Sequence, residues 1–221
     1  MSLPPAPLPS AADTAYEATR ALILDGTAEP NSMLSEGEIA TRLNISRTPV
    51  REAFLRLQAE GWLRLYPKRG ALVVPPAPNE ARDVVHSRLL VETHSARELA
   101  RLLEAGTISE DELAAQLRPH LDAQRAALAA DDLTAYAEAD LGFHHAIVAA
   151  AGNAILAQFQ DSLSDRERRM ATRSLWGRRD WTERAAAQHE ELLGAILTRD
   201  PERFETLLTH HLTSTHAAQI A

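Results

Sequence analysis

The chain contains no cysteine. That excludes disulfide frameworks, thiolate zinc sites, iron–sulfur clusters and cysteine nucleophiles together, so any bound metal must be held by His, Asp or Glu. No apolar run approaches the roughly 20 residues that cross a bilayer, and the opening MSLPPAPLPS lacks the basic start and apolar middle of a secretory signal. The expectation is a cytoplasmic protein with no membrane partner. Excess positive charge is also missing. Against 31 acidic residues stand 23 Lys plus Arg, a formal net charge of −8, so a basic architectural protein is excluded and any nucleic-acid contact must come from a local patch. What is present is 221 residues, 45% of them hydrophobic, enough for one large or two modest domains with real cores.

Residues 1–10 are Pro-rich and uncharged and read as a flexible or extended tail. A second proline cluster, Pro75-Pro76-Ala77-Pro78, interrupts helix and strand alike, and sets the expected division into a domain over 11–75, a linker over 76–79 and a domain over 80–221. The two parts differ in composition. Residues 11–75 carry eight acidic and eight basic side chains, so the whole charge of −8 belongs to the rest of the chain. From Arg42 to Arg69, however, seven basic residues face only Glu52 and Glu60. All nine histidines lie beyond Pro75.

In the first part, apolar spacing predicts a helix over 11–24 that stops at Asp25-Gly26. Ser35 and Glu38 have the spacing of a capping box for a short helix reaching about Leu43. Ser46 is placed to cap a second helix starting at Arg47, in which Pro49 is acceptable because the first turn has no intrahelical donor to lose. In that helix Val50, Phe54 and Leu57 form a buried stripe, while Arg47, Thr48 and Arg51 share the other side. Trp62–Tyr66 and Ala71–Val74 alternate like two strands around the basic turn Pro67-Lys68-Arg69-Gly70, a β-hairpin.

Ser46-Arg47-Thr48-Pro49-Val50-Arg51-Glu52-Ala53, with Leu34-Ser35-Glu36, Glu60-Gly61-Trp62 and Arg69-Gly70, resembles the DNA-binding head of the GntR family of bacterial transcription regulators. Asn31 stands where that family usually has glycine, and Gly37 where some relatives carry a DNA-contacting arginine. The resemblance implies a winged helix-turn-helix, three helices plus the hairpin. Arg47 and Arg51 would then read guanine in the major groove of an operator, Ser46 and Thr48 would hold phosphates, Ser35 would belong to the same DNA-binding surface, and Lys68, Arg69 and Gly70 would bring the wing to the minor groove.

The second part is Ala- and Leu-rich with apolar residues three and four apart. It reads as an all-α bundle of roughly six helices, broken near Gly106, Ala130, Gly152, Gly177 and Asp200-Pro201. Asp140 and His144 are one turn apart on one helix face, a chelating spacing that is weak alone. His189 and His211 sit on two further predicted helices, and the four together would make an all-N/O metal site suited to zinc, nickel, manganese or iron. His145 beside His144 and His210 beside His211 compete, since neighbours on a helix point about 100° apart. The other histidines, 86, 94, 120 and 216, read as surface or packing residues, and the run Arg166–Arg169 as a solvated helix face.

Asp140-x-x-x-His144, Gln188-His189, His211-Leu212 and the Arg88-x-x-x-Glu92 pair are similar to the FCD effector-binding domain of the FadR subfamily. That implies a mainly α protein acting as a homodimer on a pseudo-palindromic operator. It further implies a divalent metal on Asp140, His144, His189 and His211, with a small carboxylate effector held near Arg88; Asn153 is a further candidate contact. A metal-dependent hydrolase is the alternative from another class, because a three-His, one-Asp cation with an open position can activate water. No general base is evident beside the site.

Overall fold

The computed structural model describes residues 10–175 and 179–220, with backbone alone for 171–175, 179–180, 218 and 219. The chain divides between Ala77 and Pro78 into two units, inside the proline cluster.

The first unit contains α1 (Ala11–Leu24), β1 (Met33–Leu34), α2 (Glu36–Leu43), α3 (Arg47–Ala59), β2 (Leu63–Tyr66) and β3 (Gly70–Val73). Its core is one cluster in which Ala15, Leu22 and Ile23 of α1 meet Ile39 of α2, Val50, Phe54 and Leu57 of α3, and Trp62, Leu63 and Val73 of the hairpin. Val50, Phe54 and Leu57 are fully buried, as the helical stripe predicts. The sheet has three strands rather than two, in the order β1-β3-β2, all antiparallel. The extra strand is two residues long and carries no alternation of its own. It exists because Asn31 takes a left-handed turn (φ 67°) and donates its amide to Val73 O at 2.9 Å, which carries Met33 and Leu34 onto the edge of β3. Asn tolerates that region, so the turn survives without glycine.

Two capping expectations are corrected. The Ser35 side chain accepts from the Gly37 amide at 3.2 Å, two residues on, and the capping-box partner Glu38 is exposed. Ser46 occupies the N-cap position of α3 by its backbone, yet its side chain makes no capping hydrogen bond. Gly70 also has a reason the sequence did not show. At φ 100° a Cβ there would lie 2.4 Å from Leu34 O, so the β1–β3 pairing itself requires glycine.

Among its described residues the second unit contains helices joined by short turns: α4 (Glu80–Glu104), α5 (Glu110–Ala129), α6 (Leu133–Ala150), α7 (Ala154–Leu175), α8 (Arg179–Leu197), α9 (Pro201–Thr215) and α10 (Ala217–Ile220). That is one more helix than expected, because His216 ends α9 and a single further turn follows. The predicted break at Gly177 lies outside the described residues. α6 runs through the middle: its Phe143 and Ile147 are fully buried and share a cluster with Leu99, Leu113, Leu117, Leu192, Phe204, Leu208 and Leu212 from the helices around it. Gly142 lets α5 come close, since a Cβ there would meet the His120 ring at 2.6 Å. No helix among the described residues is long and apolar enough to cross a membrane.

Candidate functional site

Two places bring sequence-predicted residues together, one in each unit. In the first unit Ser46, Arg47, Thr48 and Arg51 are all exposed at the N-terminal end of α3, while Ala53, Phe54 and Leu57 hold the opposite face in the core. The N-termini of α1 and α2 carry acidic residues in their first turns, Asp13 and then Glu36 and Glu38; α3 carries none. Its orphan amides and the positive end of its dipole are therefore left without a carboxylate partner, the arrangement that suits a phosphate. The Ser46 hydroxyl, not used as a cap, is exposed at the same end. Ser35 and Gly37 border Arg47 in a surface cleft; a Cβ at Gly37 would come within 3.2 Å of the Arg47 guanidinium. Lys68 and Arg69 are exposed at the tip between β2 and β3, where Lys68 takes φ 62°.

In the second unit Asp140 and His144 of α6, His189 of α8 and His211 of α9 converge so that one ligand atom from each lies within 4.8 Å of all the others. His189 Nε2 is 3.3 Å from His144 Nε2, 3.1 Å from His211 Nε2 and 3.3 Å from Asp140 Oδ1. The three imidazoles are essentially buried and Asp140 nearly so. The competing neighbours separate as helix geometry demands: His210 is exposed and His145 is half-buried, paired instead with Glu167 and Asp161.

The other ring nitrogen of each histidine is tied to an oxygen. His144 Nδ1 lies 2.6 Å from Glu92 Oε2, His189 Nδ1 2.8 Å from Gln124 Oε1, and His211 Nδ1 2.9 Å from Gln188 Oε1. A carboxylate or carboxamide oxygen only accepts, so each Nδ1 carries the proton and donates it. Gln124 is oriented for this by its own NH2 group, which donates to Ala139 O. The three Nε2 lone pairs then face one another with no proton between them. Burial pushes all three imidazoles well below their usual pKa, and the Arg88 charge adds to that. Desolvation raises the Asp140 carboxyl to about 7, against the pull of Arg88. Converging lone pairs plus a carboxylate in a buried pocket are a donor set that fits a divalent cation, and the outward hydrogen bonds are the orienting partners such ligands need.

Arg88 lies beside this cluster, 4% exposed, with Nε donating to Glu92 Oε1 at 2.8 Å and Glu167 Oε1 3.6 Å away. Burial works against its charge, but Glu92, Glu167 and Asp140 outweigh it and hold the proton more tightly than usual. Its Nη2 is buried and has no hydrogen-bond partner. Arg88, Asp140, Glu167, His211, Thr215 and His216 line a cavity of about 10 Å³, room for one water.

Some readings change here. Asn153 is not at this cavity: it borders a separate surface cleft with His94 and Glu98, and its Oδ1 accepts from the Ile155 and Leu156 amides at the start of α7. The Arg166–Arg169 run is only partly solvated, because Glu167 and Arg169 turn inward to Gln160, His145 and Glu80 while Arg166 stays exposed. His216, taken as an ordinary histidine, is buried at the cavity wall and is pushed down to about 3 by desolvation and Arg88. Gln124 carried no spacing signal that could have exposed it, and Gln188 entered only as the neighbour of His189 in the resemblance. Glu92 did, one helical turn from Arg88.

Residues 11–73 match the family described as bacterial regulatory proteins, gntR family, and residues 83–214 match the FCD domain. The chain is 30% identical over 200 residues to the HTH-type transcriptional repressor RspR of Escherichia coli strain K12, covering 89% of this chain and 83% of that protein. It is 29% identical over 191 residues to the gluconate operon transcriptional repressor of Bacillus subtilis strain 168, covering 84% and 75%. Among solved structures, a GntR transcriptional regulator from Rhodococcus sp. RHA1 superimposes with a TM-score of 0.75 at 21% identity, over 95% of this chain and 97% of that one. These relatives are transcription regulators and not enzymes. The chain thus belongs to the GntR family of DNA-binding transcriptional regulators, with a winged helix-turn-helix unit followed by an FCD domain.

Proposed function

We propose that this protein is a homodimeric repressor of the FadR subgroup whose hold on a pseudo-palindromic operator is set by a small carboxylate bound beside a divalent metal. The metal, zinc with nickel, manganese or iron as alternatives, is held by Asp140, His144, His189 and His211, and acts as a binding element that attracts an anion. Arg47 and Arg51 read bases, Ser35, Ser46 and Thr48 meet phosphates, and Lys68, Arg69 and Gly70 form the wing contact. Two such heads on one dimer match two half-sites.

The observation that carries the effector reading is the orphan Nη2 of Arg88. A buried donor with no partner is costly, and Arg88 lines the same cavity as Asp140 and His211; a carboxylate that reached Nη2 there would satisfy it. Gluconate, named in the Bacillus subtilis relative, belongs to that chemical class. Asn153, placed away from the cavity, would contact an effector only through a different site. The cavity volume favours a second reading. With room for one water, it admits an organic acid only if Thr215 and His216 move, so the metal alone could be the signal, water completing its shell.

Operator binding measured by fluorescence anisotropy at fixed salt, in a matrix of metals and small hydroxy-carboxylates, separates these readings. Carboxylate-dependent release that requires metal supports the first; release or tightening that tracks metal with no acid present supports the second. Operator affinity indifferent to both defeats the sensor assignment and leaves the DNA-binding head standing.

A further inference from the structure

The three imidazoles are not anchored alike. His189 and His211 are held by neutral carboxamide oxygens of Gln124 and Gln188, whereas His144 is held by a carboxylate, and at the shortest of the three distances, 2.6 Å. The second oxygen of that carboxylate accepts from Arg88 Nε at 2.8 Å. Arg88 also lines the cavity, and its Nη2 is buried without a partner. The open donor and the inward-facing His144 are therefore joined by two hydrogen bonds through Glu92, and the Glu92 and His144 side chains are fully buried.

We propose that Glu92 is a positioning residue that couples two binding events, so that a small carboxylate at Arg88 and a divalent metal at the histidine cluster each tighten the other. This rests on the metal-and-carboxylate reading above. A carboxylate shared between a guanidinium and an imidazole N–H divides its hydrogen-bonding strength between them. When an anion engages the free Nη2, less of the Arg88 charge is spent on Glu92. Glu92 then draws harder on the His144 Nδ1–H, and His144 Nε2 becomes the better donor. Thermodynamic linkage requires the converse by the same factor. Gln124 and Gln188 cannot do this, because neither carries charge and neither bonds Arg88. Glu167, whose Oε1 lies 3.6 Å from the same Nε, keeps Arg88 in the pocket as its bond to Glu92 loosens.

The test uses the full-length protein, cobalt(II) followed by its visible absorption, and formate, the smallest carboxylate, which chelates cobalt negligibly in solution. In the unmodified protein formate should raise cobalt affinity about fivefold or more. Glu92→Gln keeps an oxygen for His144 but removes the charge. It should lower cobalt affinity about 10–100-fold and bring the formate effect below about twofold, leaving only direct contact between formate and metal. Gln188→Ala should lower affinity while keeping the formate effect. A Glu92→Gln protein with the full formate effect overturns the proposal, as does an unmodified protein that binds cobalt with no response to formate. No cobalt spectrum at all overturns the metal reading itself, and is distinguishable from either. If Glu92→Gln does not fold, nitrogen-15 NMR of the unmodified zinc-loaded protein gives the answer. Formate should move the His144 Nδ1–H resonance downfield and leave those of His189 and His211 in place; equal shifts in all three overturn the proposal.

Discussion

Arg47 and Arg51 stand exposed over a core, Val50, Phe54 and Leu57, that does not depend on them. His144, His189 and His211 are themselves part of the packing of their unit, in contact with each other and with Phe143. In the first unit the proposed function is laid on a finished fold; in the second it would lie inside the fold, with the same side chains answering for both. Substitutions should accordingly separate binding from stability in the head and join them in the helical unit.

The largest expected effect tests the head. If Arg47 and Arg51 read bases as proposed, replacing both with Ala removes two forks per head worth about 1–3 kcal/mol each, so the affinity of each head for its half-site should fall between about 30-fold and about 3 × 10⁴-fold with no change in thermal unfolding. A parallel drop in melting temperature would mean that these arginines support the fold and would erase the contrast. In the second unit His189→Ala should do both things at once. His189 Nε2 is the atom nearest the other three ligands, so metal affinity should fall by about 100-fold or more, and Gln124 should be left with a buried, unused acceptor that lowers the melting temperature. Metal content is read by elemental analysis.

Acid should also divide the two units. The first contains no histidine, whereas His144, His189, His211 and His216 are buried neutral, His216 with its pKa brought down to about 3. Unfolded, each titrates near 6.5, so below that pH the unfolded chain binds protons that the folded unit refuses. The stabilisation is complete above about 6.5 and is lost at about 1.4 kcal/mol per pH unit for His216 as pH falls toward 3. Asp140, raised to about 7, runs the other way between about 7 and its unfolded value, but it is one group against four. Urea melts of metal-free protein at pH 7.5 and 5.5 should show the helical transition moving to lower denaturant and the head transition staying. A helical transition that holds its midpoint would show that the histidines are not buried in the neutral form.

How much was legible in the sequence follows the same division. The residues proposed for the recognition helix, 46–51, lie in one contiguous string, and helix periodicity separates Arg47 and Arg51 from Val50 and Phe54 without knowledge of anything distant. The ligand cluster of the second unit is assembled from three helices, and of its four residues only Asp140 and His144 fall within one turn of each other. The other ligands were found through chemistry that histidine advertises. Their orienting partners were not, because Gln124 and Gln188 matter only through distances that no local pattern encodes. The same limit hid β1, whose two residues become a strand only because β3 arrives beside them, and it let Glu167 pass as part of a charged surface run.

Gly70 sharpens this point at smaller magnitude. The resemblance suggested close approach to DNA, while the backbone shows close approach to Leu34 O, with a positive φ as well. Gly70→Ala should therefore cost the head about 2 kcal/mol or more in the absence of DNA, from the left-handed backbone and the displaced β1. The helical transition and the metal content should not change. A variant with normal head stability and weakened operator binding would return Gly70 to the DNA contact alone.

The smallest effect is the most discriminating for the head. An N-cap serine that bonds the first turn is worth about 1 kcal/mol, and its loss to Ala is felt as stability. Ser46 holds that position on α3 but makes no such bond, and the first-turn amides, of which Pro49 has none, are left unserved at an end with no acidic side chain in its first turn. Ser46→Ala should therefore change head stability by less than about 0.5 kcal/mol, while lowering operator affinity uniformly across sequences, because a phosphate contact positions and does not specify. If instead the head loses about 1 kcal/mol and DNA affinity stands, the hydroxyl is a cap in solution. The separation of binding from stability, clean at Arg47 and Arg51, would then fail one residue earlier in the chain.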